Sequence, residues 1–320
     1  MMKSNALLSL LSDREIHSGE SLAQKLGVSR TAVWKHIRKA IADGTDIRTI
    51  RGQGYQLVSA LDLLDRDIIL GQLNASVRER IQLTVLDEVD STNAEVARLL
   101  TSAPLPVVLS DCQTSGRGRR GRSWASPKGQ NLYLSLGLSI KGGFSALDGL
   151  SLALGVAVAN AIEQVGGGEV GLKWPNDLFA QGQKFGGILV EIQGELQEGC
   201  VQVIAGIGIN VHMTQAEDVD QPWTSLDKRW PDQAWVRNQL AAGMITHILA
   251  AVTEFEAGGF RKFRERWQRR DIFNGLPLVT RDGELKGVGG GIDETGNYLL
   301  KTAEGEIPVR AGDISLRVSE

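Results

Sequence analysis

From Ser18 to Ile41 the chain holds two short amphipathic segments separated by a single glycine. Ser18 is a helix-capping residue followed by Leu22, Ala23 and Leu26, and Gly27 stops that helix. Ser29 caps the next one, in which Val33, Ile37 and Ile41 recur every fourth residue and so share a face. Leu7, Leu8, Leu10 and Leu11 mark an earlier helix. Asp46-Ile47-Arg48-Thr49-Ile50 then alternates like a strand, Arg51-Gly52-Gln53-Gly54 turns, and Tyr55-Gln56-Leu57-Val58 returns. Three helices with a one-glycine corner, closed by a hairpin, leave few arrangements open.

This order is the layout of a winged helix-turn-helix, and its charge agrees. Residues 1–60 hold nine Lys/Arg against five Asp/Glu, about +4, whereas the rest of the chain holds 26 against 33, about −7. No acid falls between Glu20 and Asp43. Ser29, Arg30, Thr31, Trp34, Lys35, Arg38 and Lys39 are the candidate DNA-binding residues, since a helix in the major groove meets base edges and phosphates with such side chains. The hairpin would lie on the backbone or in a minor groove. A solvated basic face used for protein contacts is the competing reading.

The chain has 320 residues, enough for two or three domains. Central strands are expected at Gln82–Leu86, Pro106–Leu109, Asn131–Ile140, Glu169–Lys173, Phe185–Ile192 and Val201–Ile209. Helices are expected at Ser91–Leu100, Ala146–Val165 and Trp235–Glu256, with a helical connection through Leu61, Leu63, Leu64, Ile68, Ile69 and Leu70. Strands that follow one another in pairs predict a mixed or antiparallel sheet. Beyond Trp267 come five short strands, Pro277–Arg281, Glu284–Ile292, Tyr298–Lys301, Glu306–Val309 and Ile314–Val318, with turns at Asp282-Gly283 and Thr295-Gly296. They predict a small β-barrel. The fold class is therefore α+β, with domains at 1–62, 63–270 and 271–320. No stretch reads as the ~20 apolar residues of a membrane helix. Two cysteines and four histidines in no ligand spacing suggest a reduced, cytoplasmic protein.

The densest chemistry lies in Gln113-Thr114-Ser115-Gly116-Arg117-Gly118-Arg119-Arg120-Gly121-Arg122-Ser123-Trp124, with four arginines and three glycines in seven residues. It matches G-x-G-x-x-G literally, but no strand directly precedes it and no helix directly follows, so a dinucleotide fingerprint is rejected. What remains is an anion-binding loop, backbone amides and guanidinium forks around a phosphate; an RG-rich nucleic-acid segment is the weaker alternative. Ser91, Thr92 and Asn93 open a helix, either as an ordinary cap or as donors to a polar ligand head. Lys173-Trp174-Pro175-Asn176-Asp177 combines a cation for phosphate with a carboxylate for Mg²⁺, against a plain surface turn. Lys184 stands before Gly186-Gly187, where a ligand can approach the backbone, or simply before a β-bulge. Gly206-Ile207-Gly208-Ile209-Asn210 is a similar strand stripped of side chains. Without a covalent nucleophile, positioning and charge neutralisation point to phosphoryl or nucleotidyl transfer.

Taken in order and spacing, these motifs resemble the biotin–protein ligases, and the two flanking domains resemble the bifunctional ligase/repressor form; the resemblance spans essentially the whole chain. It implies a class II synthetase-like central domain and an SH3-like C-terminal barrel. It implies ATP-dependent formation of biotinyl-5′-AMP, then transfer to a lysine of the biotin carboxyl carrier protein of acetyl-CoA carboxylase. Ser91, Thr92, Asn93, Gln113, Arg117, Gly118, Arg119 and Lys184 would meet biotin. Lys173, Asn176, Asp177, Asn210 and Trp223 would serve ATP and Mg²⁺, with Asp177 on the metal. Lys184, Arg119 and Lys173 would be catalytic. Operator DNA and a homodimer formed with biotinyl-AMP are the other implied partners. A ligand-sensing transcription factor without ligase activity and a lipoate–protein ligase are the alternatives.

Overall fold

The computed structural model describes residues 4–42, 45, 47–58, 62–100, 104–197, 199–216, 219, 221–280, 283–310 and 316–318. Of the sequence expectations, Asp46, Leu61, Arg281, Asp282 and residues 314–315 lie outside these.

The N-terminal unit contains α1 (Ser4–Leu11), α2 (Gly19–Leu26), α3 (Arg30–Ala42) and a hairpin of β1 (Ile47–Ile50) and β2 (Gly54–Leu57). Ser18 Oγ accepts from the Ser21 amide at 3.1 Å, and Ser29 Oγ from the Ala32 amide at 3.2 Å. Gly27 takes the left-handed conformation (φ 65°) and turns its N–H back onto the end of α2. Leu7, Leu8, Leu11, Leu22, Val33, Ile37, Ala40, Ile47 and Leu57 form a separate small core. One assignment is corrected: Ile41 is 41% exposed and Ala40 is buried in its place. A helix turns 100° per residue, so 33, 37 and 40 stay closer to one stripe than 33, 37 and 41.

The connection forms α4 (Arg66–Gln72) and α5 (Ala75–Arg78). Ile69 faces inward while Ile68 is half exposed. Next come β3 (Ile81–Leu86), α6 (Thr92–Leu99), β4 (Leu105–Ser110), β5 (Asn131–Lys141), α7 (Leu150–Gln164), β6 (Gly171–Lys173), β7 (Asp177–Ala180), β8 (Gln183–Gln197), β9 (Cys200–Asn210), α8 (Leu226–Arg229), α9 (Arg237–Gly258) and α10 (Arg264–Gln268). Seven strands form one sheet in the order β3-β4-β5-β9-β8-β7-β6. Only β3–β4 is parallel, so the sheet is mixed as expected.

Alternation along the strands sets two faces. Val107, Leu109, Leu134, Leu136 and Ile207 belong to the large core with α7 and α9, which pack on each other. Val108 and Ile204 form a smaller cluster with Val96 of α6. The Phe144–Gln164 segment and α9 are long and apolar enough to span a bilayer by length and composition, which corrects the sequence reading. More than half of each window is buried inside the protein, and a core helix is apolar for that reason.

The C-terminal strands β10 (Pro277–Thr280), β11 (Lys286–Ile292), β12 (Tyr298–Thr302), β13 (Gly305–Val309) and β14 (Leu316–Val318) form an antiparallel sheet in the order β13-β12-β11-β10-β14. As described, it is an open five-stranded sheet with a register shift in β11 between Gly289 and Ile292. Its Leu278, Ile292, Tyr298, Leu300 and Leu316 join the central core. Tyr298 donates to Asp271 at 2.8 Å, and burial pushes that carboxyl up to about 6.

Candidate active site

The α6 face of the sheet carries the site. Tyr133 of β5, Gly206 and Gly208 of β9, and Gly187 and Leu189 of β8 alternate onto it and line a cavity of about 530 Å³, a size suited to a small ligand. Its glycines admit side chains. A Cβ at Gly206 would stand 2.2 Å from Asn93 Oδ1, and one at Gly208 would stand 2.6 Å from the Trp124 ring. The stripped strand of the sequence reading therefore makes room for Asn93 and Trp124.

At the start of α6, Ser91 occupies the cap position yet its side chain makes no cap bond. Gln113 Oε1 accepts from the Thr92 amide at 2.9 Å and from Thr92 Oγ1 at 3.1 Å, so the loop caps the helix and Ser91 stays at the cavity. Ser135 Oγ lies 2.7 Å from Thr92 Oγ1 and 2.6 Å from Asn93 Oδ1, and Asn93 Nδ2 donates to Glu191 at 2.6 Å. These contacts fix a pre-set polar wall.

Lys184 reaches the cavity because of a bulge. Between β7 and β8, Leu178 pairs with Gly186 but Phe179 pairs with Lys184, leaving Phe185 extra. Positions 184 and 187 would otherwise point to opposite faces; the additional residue turns Lys184 onto the side of Gly187. Its Nζ lies 2.7 Å from Asp177 Oδ1 and 5.4 Å from the Trp124 ring centroid. Asp177 sits opposite Gly187, where a Cβ would stand 3.3 Å from the Trp124 ring. Asp177 opens β7, a strand the sequence did not reveal. Trp174, in the turn before it, is buried and donates from Nε1 to Gly296 O at 3.0 Å, so the plain surface-turn reading fails.

Arg119 donates to Asn176 Oδ1 at 3.0 Å, joining the arginine loop to that turn. Burial and then the neighbouring Arg120 lower the Arg119 pKa, against Asp177, which favours its charge. Lys173 is lowered by burial and by Lys184 and Arg122, again opposed by Asp177; its ammonium lies over the Phe179 and Phe273 rings. Arg117 pairs with Glu191 at 3.1 Å. Arg120 adopts φ 57°, a conformation L-residues rarely take, where the loop doubles back. Trp124 Nε1 is buried with no partner, a donor ready for a ligand atom.

Among the described residues the cavity lining contains Arg117, Arg119, Arg120, Arg122, Lys173, Lys184 and Arg317, against the single carboxylate of Asp177. Crowded cations, two of them (Arg119 and Lys173) partly desolvated, in an otherwise acidic body call for a polyanion. Ser91, Thr92, Asn93, Gln113, Arg117, Gly118, Arg119, Lys173, Asn176, Asp177 and Lys184 all line this space. Asn210 and Trp223 do not: Asn210 Nδ2 donates to Thr224 O at 3.0 Å, and Trp223 stacks under Lys228 at 4.1 Å while its backbone forms an isolated parallel bridge with Lys184. Arg122, Trp124, Tyr133, Gln221 and Arg317 were not singled out from the sequence. The loop arginine and Trp124 had a signal in the motif itself; Arg317, on β14, had none.

Comparison with known proteins agrees with this architecture. Residues 85–210 match the model of the biotin/lipoate A/B protein ligase family, 3–56 an HTH domain, and 278–317 the biotin protein ligase C-terminal domain. The bifunctional ligase/repressor BirA of Escherichia coli is 39% identical over 98% of this chain and 97% of its own length. The chain belongs to the bifunctional ligase/repressor family of biotin–protein ligases. Another member of this ligase/repressor family, from Bacillus subtilis, is 33% identical over 94% of both chains. Among solved structures, the Aquifex aeolicus biotin protein ligase in complex with biotin and ATP superposes with a TM-score of 0.65 at 30% identity, covering 74% of this chain and 99% of that one.

Proposed function

We propose that this chain is an ATP-dependent biotin–protein ligase and a biotin-responsive repressor, with the cavity performing both half-reactions. One observation carries the reading: the converging cations of the arginine loop, Lys173 and Lys184 meet a pre-set polar wall on one face of the sheet. The α-phosphate and the leaving pyrophosphate need fixed positive charge, and a carboxylate substrate needs orientation against them.

In the first half-reaction an oxygen of the biotin carboxylate bonds to the α-phosphorus of ATP, and the α–β bridging bond breaks to release pyrophosphate. Lys184 neutralises the carboxylate and α-phosphate, while Arg119, Lys173 and their neighbours hold the polyphosphate. Ser91, Thr92, Asn93 and Gln113 orient biotin. Asp177 is the carboxylate that would hold Mg²⁺, which would supply charge neutralisation on the phosphates when bound. In the second half-reaction the amine of a carrier-protein lysine attacks the acyl carbon and AMP leaves, the amine proton passing to solvent. The loop shields the anhydride from water until that acceptor arrives.

We take residues 1–62, 63–270 and 271–320 as the DNA-binding, catalytic and C-terminal domains, acting in the cytoplasm, where carrier protein and operator are accessible. Dimerisation through β8 fits the sheet: β7 pairs only as far as Gly187, and Ile188 donates its amide to Asn176 O at 2.9 Å, but beyond Ile188 β8 has no strand partner on that side among the described residues, and Ile192 is half exposed there. A sensor without catalysis would not require Lys173, Arg119 and Lys184 to converge. The test is retention of label: incubated with ATP and radiolabelled biotin, the protein should hold biotinyl-AMP through gel filtration. Equal retention with labelled lipoate would favour the lipoate ligase.

A further inference from the structure

The solvent face of α3 is two rows with one-turn spacing: Arg30, Trp34 and Arg38 in one, Thr31, Lys35 and Lys39 in the other, all exposed. The opposite stripe, Val33, Ile37 and Ala40, is buried. Trp34 is the odd member. It is 50% exposed at the middle of a basic face, with an arginine one turn before it and one turn after. An indole is among the largest apolar surfaces a side chain offers, and the fold leaves half of it in water. The Arg38 guanidinium carbon lies 5.6 Å from the Trp34 ring centroid. That contact restrains the ring, and a guanidinium that stacks on an indole by its face keeps its in-plane N–H fork for other acceptors.

A DNA duplex offers phosphates to the flanking cations. On the floor of its major groove, the apolar feature is the 5-methyl group of thymine. The geometry points to Trp34 as a sequence-reading side chain: its ring edge packs on a thymine methyl in the major groove, while the Arg38 fork donates to the neighbouring base edge. Thr31, Lys35 and Lys39 then lie toward the backbone and contribute charge without sequence information. This rests on the DNA-binding reading proposed above.

The test uses the full chain with biotin and ATP. Duplexes are selected from a random pool, and in the enriched sequence each thymine is replaced in turn by deoxyuridine, which removes the methyl and keeps the pairing edge. Binding is followed by fluorescence anisotropy. At one position per half-site, methyl removal should weaken binding of the unaltered protein about fourfold, the worth of one buried carbon. Trp34→Ala should bind thymine and deoxyuridine equally there, Trp34→Phe should retain part of the difference, and Lys35→Ala should weaken all duplexes alike while keeping it. Unchanged thermal melting of each variant excludes misfolding. Methyl sensitivity equal in the unaltered protein and Trp34→Ala at every position, or absent throughout, overturns the assignment. If selection enriches no duplex, the DNA-binding reading fails first, visibly, and the assignment with it.

Discussion

Arg237 donates from its guanidinium to Asp111 Oδ1 at 2.7 Å, and neither side chain is exposed to solvent. The same guanidinium donates to Asn131 O at 2.9 Å and, through Nε, to Asp62 O at 2.8 Å. Asp111 precedes the arginine loop, Asn131 follows it, and Asp62 leads from the N-terminal unit into the catalytic one. One side chain therefore anchors both roots of the loop and the connection to the DNA-binding domain. Removing one member of a buried pair leaves the other charge uncompensated. Arg237→Met should cost about 3–5 kcal/mol in urea denaturation, and Arg237→Met/Asp111→Asn should recover part of it. A single variant as stable as the parent would show that the pair is not structurally important.

Lys184→Ala is expected to lower ATP–pyrophosphate exchange by roughly a hundred- to a thousandfold, the usual cost of removing a fixed donor from a developing charge. The melting curve should shift far less than that of Arg237→Met, because Lys184 and Asp177 line a cavity rather than the sealed core. Exchange at the parent rate would remove Lys184 from the chemistry.

Arg119 bridges the loop to Asn176 and lies among the cavity cations. Arg119→Gly should release biotinyl-AMP faster than it is transferred, so that bystander proteins acquire biotin. Mass spectrometry of a mixed-protein reaction showing no excess over the parent enzyme would contradict that role.

Sequence legibility followed the range of the interactions. The caps at Ser18 and Ser29, the turn at Gly27 and the motif residues around Arg119, Lys173 and Lys184 are local; the caps and turn form as expected, and the motif residues line one cavity. Ile41 was misplaced by one position because four-residue spacing drifts around a helix. The reach of Lys184 depends on a bulge that only the pairing of β7 with β8 defines. The surface-turn alternative for Lys173–Asp177 stays open in the sequence because the partner of Trp174, Gly296, is 122 residues away. Arg317 and Arg237 gave no local signal: their neighbours are brought by other strands.

His212 gives a pH signature. Burial alone would push its imidazolium down, but Asp227 at 2.8 Å and Asp62 at 3.1 Å outweigh it and raise the pKa to about 9. A raised folded-state value contributes stability fully below the unfolded pKa of about 6.5. That contribution disappears as pH climbs through about 9. The urea midpoint of the parent should therefore fall between about pH 6.5 and about pH 9 more than that of His212→Gln, a window set by these two values. Parallel curves would contradict the linkage.

If ordering of the loops around the adenylate favours pairing through β8, sedimentation velocity should show tighter self-association with biotinyl-AMP than without ligand, and Ile192→Glu should weaken it. Identical self-association in both states would break the coupling while leaving the ligase reading intact.

The most direct test of the central claim is transfer itself. The purified chain, a biotin carboxyl carrier domain and labelled biotin are combined with and without ATP, and modification of the carrier is read by mass. The account predicts one biotin per carrier domain on a single lysine, only with ATP, and none with lipoate in place of biotin. A carrier left unmodified in the presence of ATP and biotin, or modified by lipoate instead, would contradict it.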